Sequence, residues 1–306
     1  MTGGLLPGAA TAALAVCLDL LLGEPRRRHP LVGFGSLAAR IEGVLNAAAR
    51  AQRQRRALGA LAVLGLVGLP TALLAALPRH ALIDAAVLYL ALGWRSLGEH
   101  AGAVAAALAT GDLPAARQAV ARLVSRDCAG LDAPGVAAAA VESVLENGND
   151  AVFGALLWYA LAGAPGALAF RLANTLDALW GYRNERFLHF GWAAARLDDA
   201  LNLIPARLTA LAYALCGHTR QALACWRTQA RGWKSPNAGP VMAAGAGALG
   251  LLIGGPARYH GALQDRPRLG TGVPAGPPDI DRALALLRRS LALWLALWLM
   301  IGLAAA

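Results

Sequence analysis

Residues 151–170, AVFGALLWYALAGAPGALAF, decide how this chain folds, because they are apolar over the length of a membrane span yet broken at 163–166 by Gly-Ala-Pro-Gly. A helix needs ~17–25 apolar residues to cross a bilayer. A straight span here would put residues 95–150 and 171–240 on opposite sides of the membrane. A hairpin that turns at GAPG keeps both on the cytoplasmic side. Adjacent glycine and proline are turn chemistry, and both flanks are polar-rich, so the sequence predicts a re-entrant hairpin.

Working outward, residues 4–22, 57–77 and 290–306 each approach the length of a span, and residues 80–94 are a shorter candidate weakened by Asp84. The chain of 306 residues is 57% hydrophobic with a mean hydropathy of +0.48, above the usage of soluble domains. Alanine and leucine dominate and β-branched residues are thin, so every long element reads as helix. The predicted fold class is all-α: a polytopic integral membrane protein with about four spans plus re-entrant or interfacial helices. Residues 1–306 read as one integrated membrane domain, since no repeat or autonomous boundary is visible.

Local signals refine this. Residues 97–109 and 112–124 predict a helical hairpin joined at TGDLP, with Asp112 as N-cap and Pro114 in the first turn. A further helix starts near Asp132 and runs to about Asn147. Segments 201–216 and 241–253 read as partly embedded helices, and 265–278 (DRPRLGTGVPAGPP) as an irregular loop. The cysteines, Cys17, Cys128, Cys216 and Cys225, lack CxxC spacing and read as reduced, buried thiols.

The net charge of +10 is almost all arginine, Lys234 being the only lysine. Arg26, Arg27, Arg28, Arg40, Arg50, Arg53, Arg55 and Arg56 follow the first apolar segment, which places that loop in the cytoplasm. Arg288 and Arg289 before the last segment agree. The arginines are dispersed among apolar stretches with no basic array or binding motif, so a nucleic-acid partner is excluded. There is also no GxxxxGK[ST], GxGxxG, HExxH or GxSxG, which removes the standard nucleotide-loop, zincin and hydrolase readings.

Polar residues next to membrane-like sequence are expensive and therefore informative. Glu142, Glu146 and Asp150 fall at i, i+4 and i+8, and line one face if the helix persists to 150. A carboxylate stripe of this kind suits a magnesium ion that also holds substrate phosphates. Asn174 and Asp177 share a face of RLANTLDAL, and Asp198, Asp199 and Asn202 form DDxxN. Arg183, Arg186, Arg196 and Arg207 surround these acids, and arginine is suited to bidentate contact with phosphate or carboxylate. The window 179–199, LWGYRNERFLHFGWAAARLDD, adds Tyr182 and Trp192 as aromatic surface. His189 is a candidate base near neutral pH, with Glu185 as its rival.

Several words in this order resemble one family: LDLLLGEPRRRHPLVGFG (18–35), VSRDCAGLD (124–132), AAVESVLENGNDAV (139–152), residues 165–211, SPNAGPVMAAGAGALG (235–250) and GGPARYHG (254–261). Together they are similar to the adenosylcobinamide-phosphate synthases of cobalamin biosynthesis, which are integral membrane proteins. The chain departs from that pattern at Glu24, where aspartate is usual, and at Met242, where glutamate is typical.

The resemblance implies an ATP-dependent amide ligase that joins adenosylcobyric acid to (R)-1-amino-2-propanol O-2-phosphate or a related amino alcohol phosphate. It implies ATP and Mg²⁺ as cofactors, a corrinoid substrate, and a multi-pass location in the bacterial inner membrane with the active site on the cytoplasmic face. Glu142, Glu146, Asp150, Asp177, Asp198 and Asp199 are the expected Mg-nucleotide ligands. Arg183, Arg186, Arg207, Asn174, Tyr182, Trp192, His29 and Asn237 are the expected substrate or phosphate contacts, and His189 or Glu185 the base. A homo-oligomer or other corrinoid-pathway proteins are compatible partners. Two rival classes remain beside this one: a Mg-dependent intramembrane lipid-type transferase, whose usual DDxxD or DGxxAR spacing is absent, and a corrinoid or small-molecule transporter.

Overall fold

The computed structural model describes residues 5–25, 29–259 and 261–305. Arg26, Arg27 and Arg28, used above for orientation, lie outside the described residues. The helices in chain order are α1 (Leu5–Leu22), α2 (Pro30–Leu45), α3 (Gln52–Val63), α4 (Leu69–Ala76), α5 (Ala81–Ala91), α6 (Trp94–Ala109) and α7 (Leu113–Val120). They continue as α8 (Ala133–Gly148), α9 (Gly154–Trp180), α10 (Trp192–Leu201), α11 (Leu203–Leu215), α12 (Thr219–Gln229), α13 (Ala238–Leu249) and α14 (Asp279–Ala304). Among the described residues four helical stretches are long and apolar enough to cross a membrane: Gln52–Ala76, Ala81–Ala109, Ala133–Trp180 and Asp279–Ala304. The expected span at 4–22 is present as α1, but its apolar helix, Leu6–Leu22, is among the shorter ones.

The protein divides into two compact units: Met1–Gly93 with Asp150–Asn202 and Leu299–Ala306, and Trp94–Asn149 with Leu203–Trp298.

In the first unit the GAPG break behaves as predicted. Gly163 adopts φ 69° and ψ −157°, a conformation essentially confined to glycine, and interrupts α9. A Cβ built on Gly154 would lie 2.0 Å from Cζ of Phe170, and one on Gly166 2.3 Å from the Trp158 carbonyl oxygen. In an unbroken helix residues 154 and 170 would stand about 24 Å apart at ~1.5 Å rise per residue. The chain has therefore turned back on itself as a hairpin. Its second arm packs with α2, α3 and α10 around a core of Ala38, Ala62, Leu66, Leu176, Trp180 and Phe190. Trp180 and Phe190 meet edge to face, with centroids 5.0 Å apart.

The outer surfaces of α1, of α3 and α4 and of the turn between those two carry exposed leucines, including Leu14, Leu21, Leu61, Leu64, Leu69 and Leu73. Apolar exposure of this extent, carried over Gln52–Ala76 on a membrane-spanning length, suits a lipid-facing surface.

In the second unit the predicted Asp112 cap forms, and Asp132, where a helix start was expected, caps α8. Asp112 accepts from Ala115 N at 2.9 Å and Asp132 from Gly135 N at 2.8 Å. Helix α13 is buried at every residue, which its small side chains permit. A Cβ on Gly247 would stand 2.9 Å from Ala222 Cα, so α12 and α13 touch almost backbone to backbone. Helix α14 is the opposite case: its apolar window is only 22% buried, which marks it as a lipid-facing span.

After α13 the structure departs from the expectation of helices and irregular loop alone. Among the described residues five short strands occur: β1 (Leu251–Gly254), β2 (Ala257–Tyr259), β3 (Ala262–Gln264), β4 (Arg268–Gly270) and β5 (Val273–Pro274). Strand β1 pairs antiparallel with β4, matching Ile253 to Leu269, and parallel with β5, matching Leu251 to Val273; β2 and β3 form a hairpin. The stretch 265–278 is thus partly ordered as sheet. Gly270, at φ 88°, allows the close pairing, since a Cβ there would fall 2.0 Å from the Leu251 carbonyl oxygen.

Candidate functional site

In the first unit, the window 181–191 links α9 to α10 as a series of turns. What holds it is a latch from α2 and α3. Glu42, 3% exposed, accepts two parallel bonds from Arg186, Nε to Oε1 at 3.0 Å and Nη2 to Oε2 at 2.5 Å. Asn46 donates to the Arg186 carbonyl at 2.8 Å, and Arg55 donates to the carbonyls of Glu185 and Arg186. The hydrogen bonds from Arg186 hold the Glu42 carboxyl below its ordinary range, against the opposing effect of burial. Arg186, expected as a phosphate contact, is thus paired with an internal carboxylate while its side chain stays 66% exposed. Arg56 lies over the ring of Trp192, 4.3 Å from its centroid, so that indole is part of the same clamp.

The latch presents Tyr182, Arg183 and Glu185 outward, with His189 half-buried behind them. Beside the window, α9 and α10 bring Asn174 and Asp198 together, a pairing across 24 positions that helical spacing does not predict. Asn174 Nδ2 and Asn202 Nδ2 both donate to Asp198 Oδ1, at 3.2 and 3.1 Å. Burial raises the Asp198 carboxyl to about 6, with the two amides opposing and the Asp199 charge adding to the rise. Asp199 is also raised by burial, opposed by Arg196 and Arg183. Arg196 lies 3.4 Å from its Oδ2. Asp198 and Asp199 are thus adjacent carboxyls whose ionisation burial disfavours, flanked by the two amides and by Arg183 and Arg196. Asp177, one turn before the window, accepts Gly181 N at 2.6 Å through its carbonyl, and a Cβ on Gly181 would strike its carboxylate at 2.0 Å.

A second polar cluster in this unit was mostly missed. Arg171 on α9 has Glu24, Asp150 and Asp19 as charged neighbours, and its Nε is buried without a hydrogen-bond partner among the described residues. Gly93 lies against the cluster: a Cβ there would make ordinary contact with Glu24 Oε1 at 3.5 Å and Arg171 Nη2 at 3.8 Å. His29 caps α2, its Nδ1 accepting from Leu31 N at 3.1 Å, and burial lowers its pKa, so the ring is held neutral. A capping role was not foreseen for it.

In the second unit, Glu142 is the hub. Its Oε2 accepts from Arg266 Nη2 at 3.1 Å, its Oε1 from Gly254 N at 3.0 Å, and Arg126 Nη1 stands 3.8 Å from Oε1. All three side chains are largely buried, at 8%, 14% and 7% exposure. Arg266 also donates to the Tyr259 hydroxyl at 3.1 Å and lies over the Trp233 ring. Separately, Arg207 donates to Asn237 Oδ1 at 2.5 Å, to Pro236 O at 3.1 Å and to Leu203 O at 3.0 Å. Asn237 therefore positions Arg207.

The expected six-acid metal set needs correction as a single centre. Among the described residues no three His, Cys, Asp or Glu side chains are grouped to hold a metal ion. The i, i+4, i+8 phase fails because α8 ends at Gly148 and the backbone widens into a π-turn over Asn149–Phe153. Glu142 is neutralised by arginines, Asp150 belongs with Arg171, and Glu146 is half-buried on α8. The reading of Cys17 as buried also fails, since it is exposed on α1; the four cysteines are free, as expected.

A family model described as CobD/Cbib protein matches residues 12–287. The chain is 56% identical over 291 residues to the cobalamin biosynthesis protein CobD of Chromobacterium violaceum, covering 93% of each. It is 58% identical to the protein of that name from Stutzerimonas stutzeri, covering 94% of this chain and 96% of the other. It is 44% identical to one from Rhodobacter capsulatus, covering 97% of both. No solved structure matches.

Proposed function

Because the chain belongs to the CobD/Cbib family of cobalamin biosynthesis proteins, we propose that it is the ligase that joins adenosylcobyric acid in amide linkage to (R)-1-amino-2-propanol O-2-phosphate, or a related amino alcohol phosphate, at the cost of ATP. The observation that carries this reading is the Asp198 cluster. A free carboxylate is a poor acyl donor, so it needs activation, and transfer of the γ-phosphoryl group of ATP to the substrate propionate gives an acyl phosphate. Phosphoryl transfer depends on positioning and charge neutralisation. Asp198 and Asp199 fit a nucleotide-borne Mg²⁺, which takes one or two carboxylates and leaves its other positions to phosphates and water. Bound there, the ion would neutralise phosphate charge. Their resistance to bare ionisation is the property a cation relieves.

The chain's own groups take the remaining tasks. Asn174 and Asn202 fix the rotamer of Asp198. Arg183, exposed at the rim beside Asp199, meets the phosphate of the amine substrate, and Tyr182 and Trp192 offer aromatic surface to the broad corrin. The incoming ammonium must lose a proton, to His189 or Glu185, before its nitrogen attacks the acyl carbon; the C–O bond to phosphate then breaks and inorganic phosphate leaves. The bilayer holds the protein in the bacterial inner membrane.

The reading is tested in a strain that lacks this gene and needs the cofactor for growth. Growth restored by cobinamide but not by aminopropanol phosphate is the expected result. Growth restored by aminopropanol phosphate, or by neither, would overturn the assignment.

A further inference from the structure

A feature of the second unit is left over by this chemistry. Arg207, Arg227, Arg231 and Lys234 line an open cleft of about 680 Å³ together with Trp226 and Trp233. No carboxylate lines it, and none of the four cations is in an ion pair among the described residues. Four like charges around one cleft repel unless an anion sits among them.

The helix that supplies Arg207 indicates what kind of anion. Leu203, Arg207, Leu211 and Leu215 follow one another at i, i+4, i+8 and i+12 on α11, so they form a single row. The three leucines are 50%, 41% and 56% exposed, and Ile204 beside them is 54% exposed. Arg207 thus breaks an exposed apolar face, and its guanidinium is not loose. Three acceptors, Leu203 O, Pro236 O and Asn237 Oδ1, fix its direction. A guanidinium that merely snorkels to water needs no such anchoring. A small diffusible anion would use the cleft and leave the leucine row unexplained. An amphiphile with a phosphate head and acyl chains uses both, and tryptophan is the side chain that sits between them at headgroup level.

We propose that this cleft and the exposed face of α11 form a binding site for an anionic phospholipid, with its phosphate among Arg207, Arg227, Arg231 and Lys234 and its acyl chains along Leu203, Leu211 and Leu215. The site is independent of the ligation reading: either stands if the other falls.

The test uses the full-length protein exchanged into phosphatidylcholine bilayer discs containing a minor fraction of phosphatidylglycerol, followed by native mass spectrometry of retained lipid. Wild-type protein should retain phosphatidylglycerol over phosphatidylcholine. The variant Arg227→Gln/Arg231→Gln/Lys234→Gln, whose changes are all exposed, should weaken that preference roughly a hundredfold. If that variant fails to fold, Arg231→Gln alone should weaken it about fivefold. Leu203→Asn/Leu211→Asn should lower retention of phosphatidylglycerol, because its acyl chains lose their apolar seat. Equal retention of both lipids by wild type, or an undiminished preference in the charge variants, overturns the proposal. So does tight binding of inorganic triphosphate or ATP that displaces phosphatidylglycerol and ignores the leucine substitutions, which would make the cleft a site for a soluble phosphate.

Discussion

Arg186 meets both oxygens of Glu42 with two near-parallel hydrogen bonds, so the segment richest in site candidates is fastened to the first unit through a buried carboxylate. A planar guanidinium on a carboxylate sets direction as well as distance, and lysine cannot reproduce it. This latch places Tyr182, Arg183, Glu185 and His189.

Glu42 should therefore give stability an acid limb. Its carboxyl is held low chiefly by the Arg186 bonds, so the contribution is complete above the ordinary value of 4.5 and is lost as pH falls through the lower folded value. Melting temperature measured below that ordinary value should fall more steeply for wild type than for Glu42→Gln. At neutral pH, Glu42→Gln should speed amide hydrogen exchange across residues 181–191, and Arg186→Lys should do the same.

The sign reverses at Asp198. A carboxyl raised from 3.8 to about 6 by burial destabilises the fold once it ionises, so stability is highest below 3.8 and declines as pH rises through about 6. The loss amounts to roughly 3 kcal/mol at most, at ~1.4 kcal/mol per unit. Asp198→Asn should flatten this decline and raise the melting temperature of the ligand-free protein at pH about 8, while lowering amide-forming activity by at least about a hundredfold. Full activity in Asp198→Asn would remove it from the site.

Glu142 should behave as the keystone of a buried triad. Glu142→Ala leaves Arg126 and Arg266 facing each other without their shared anion, and should cost about 3–5 kcal/mol by denaturant unfolding. Replacing all three by apolar residues, Arg126→Met/Glu142→Leu/Arg266→Met, should cost less than the single change. If Glu142→Ala were neutral, the triad would not organise this unit.

The hairpin in α9 has its own signature. Cysteines introduced at Ala151 and Leu179 in a background without the native thiols should both label from the same side of the membrane, whereas a straight span labels them from opposite sides. Gly163→Ala should destabilise by about 1–3 kcal/mol, because its φ and ψ are open only to glycine.

Much of this was legible in the sequence. The GAPG break, the Asp112 cap, the helix start near Asp132, the later apolar spans and the i, i+4 relation of Asp198 to Asn202 follow from local rules of turn chemistry and helical spacing. Partners distant in sequence were not. Nothing near Arg186 announces Glu42, 144 positions away, and Arg266 lay in a stretch whose prolines and glycines read as loop. The supposed stripe from Glu142 to Asp150 failed for a local reason of another kind: a single widened turn shifts the phase of every later residue. Arg126 stood inside a quoted family word, which was the available signal for it.

The most direct measurement combines purified protein with ATP, Mg²⁺, adenosylcobyric acid and (R)-1-amino-2-propanol O-2-phosphate, and reads the mass of the corrinoid. The account predicts adenosylcobinamide phosphate, formed only when ATP is present and lost in Asp198→Asn. Corrinoid recovered at its starting mass from folded, membrane-reconstituted protein with all reactants supplied would contradict it.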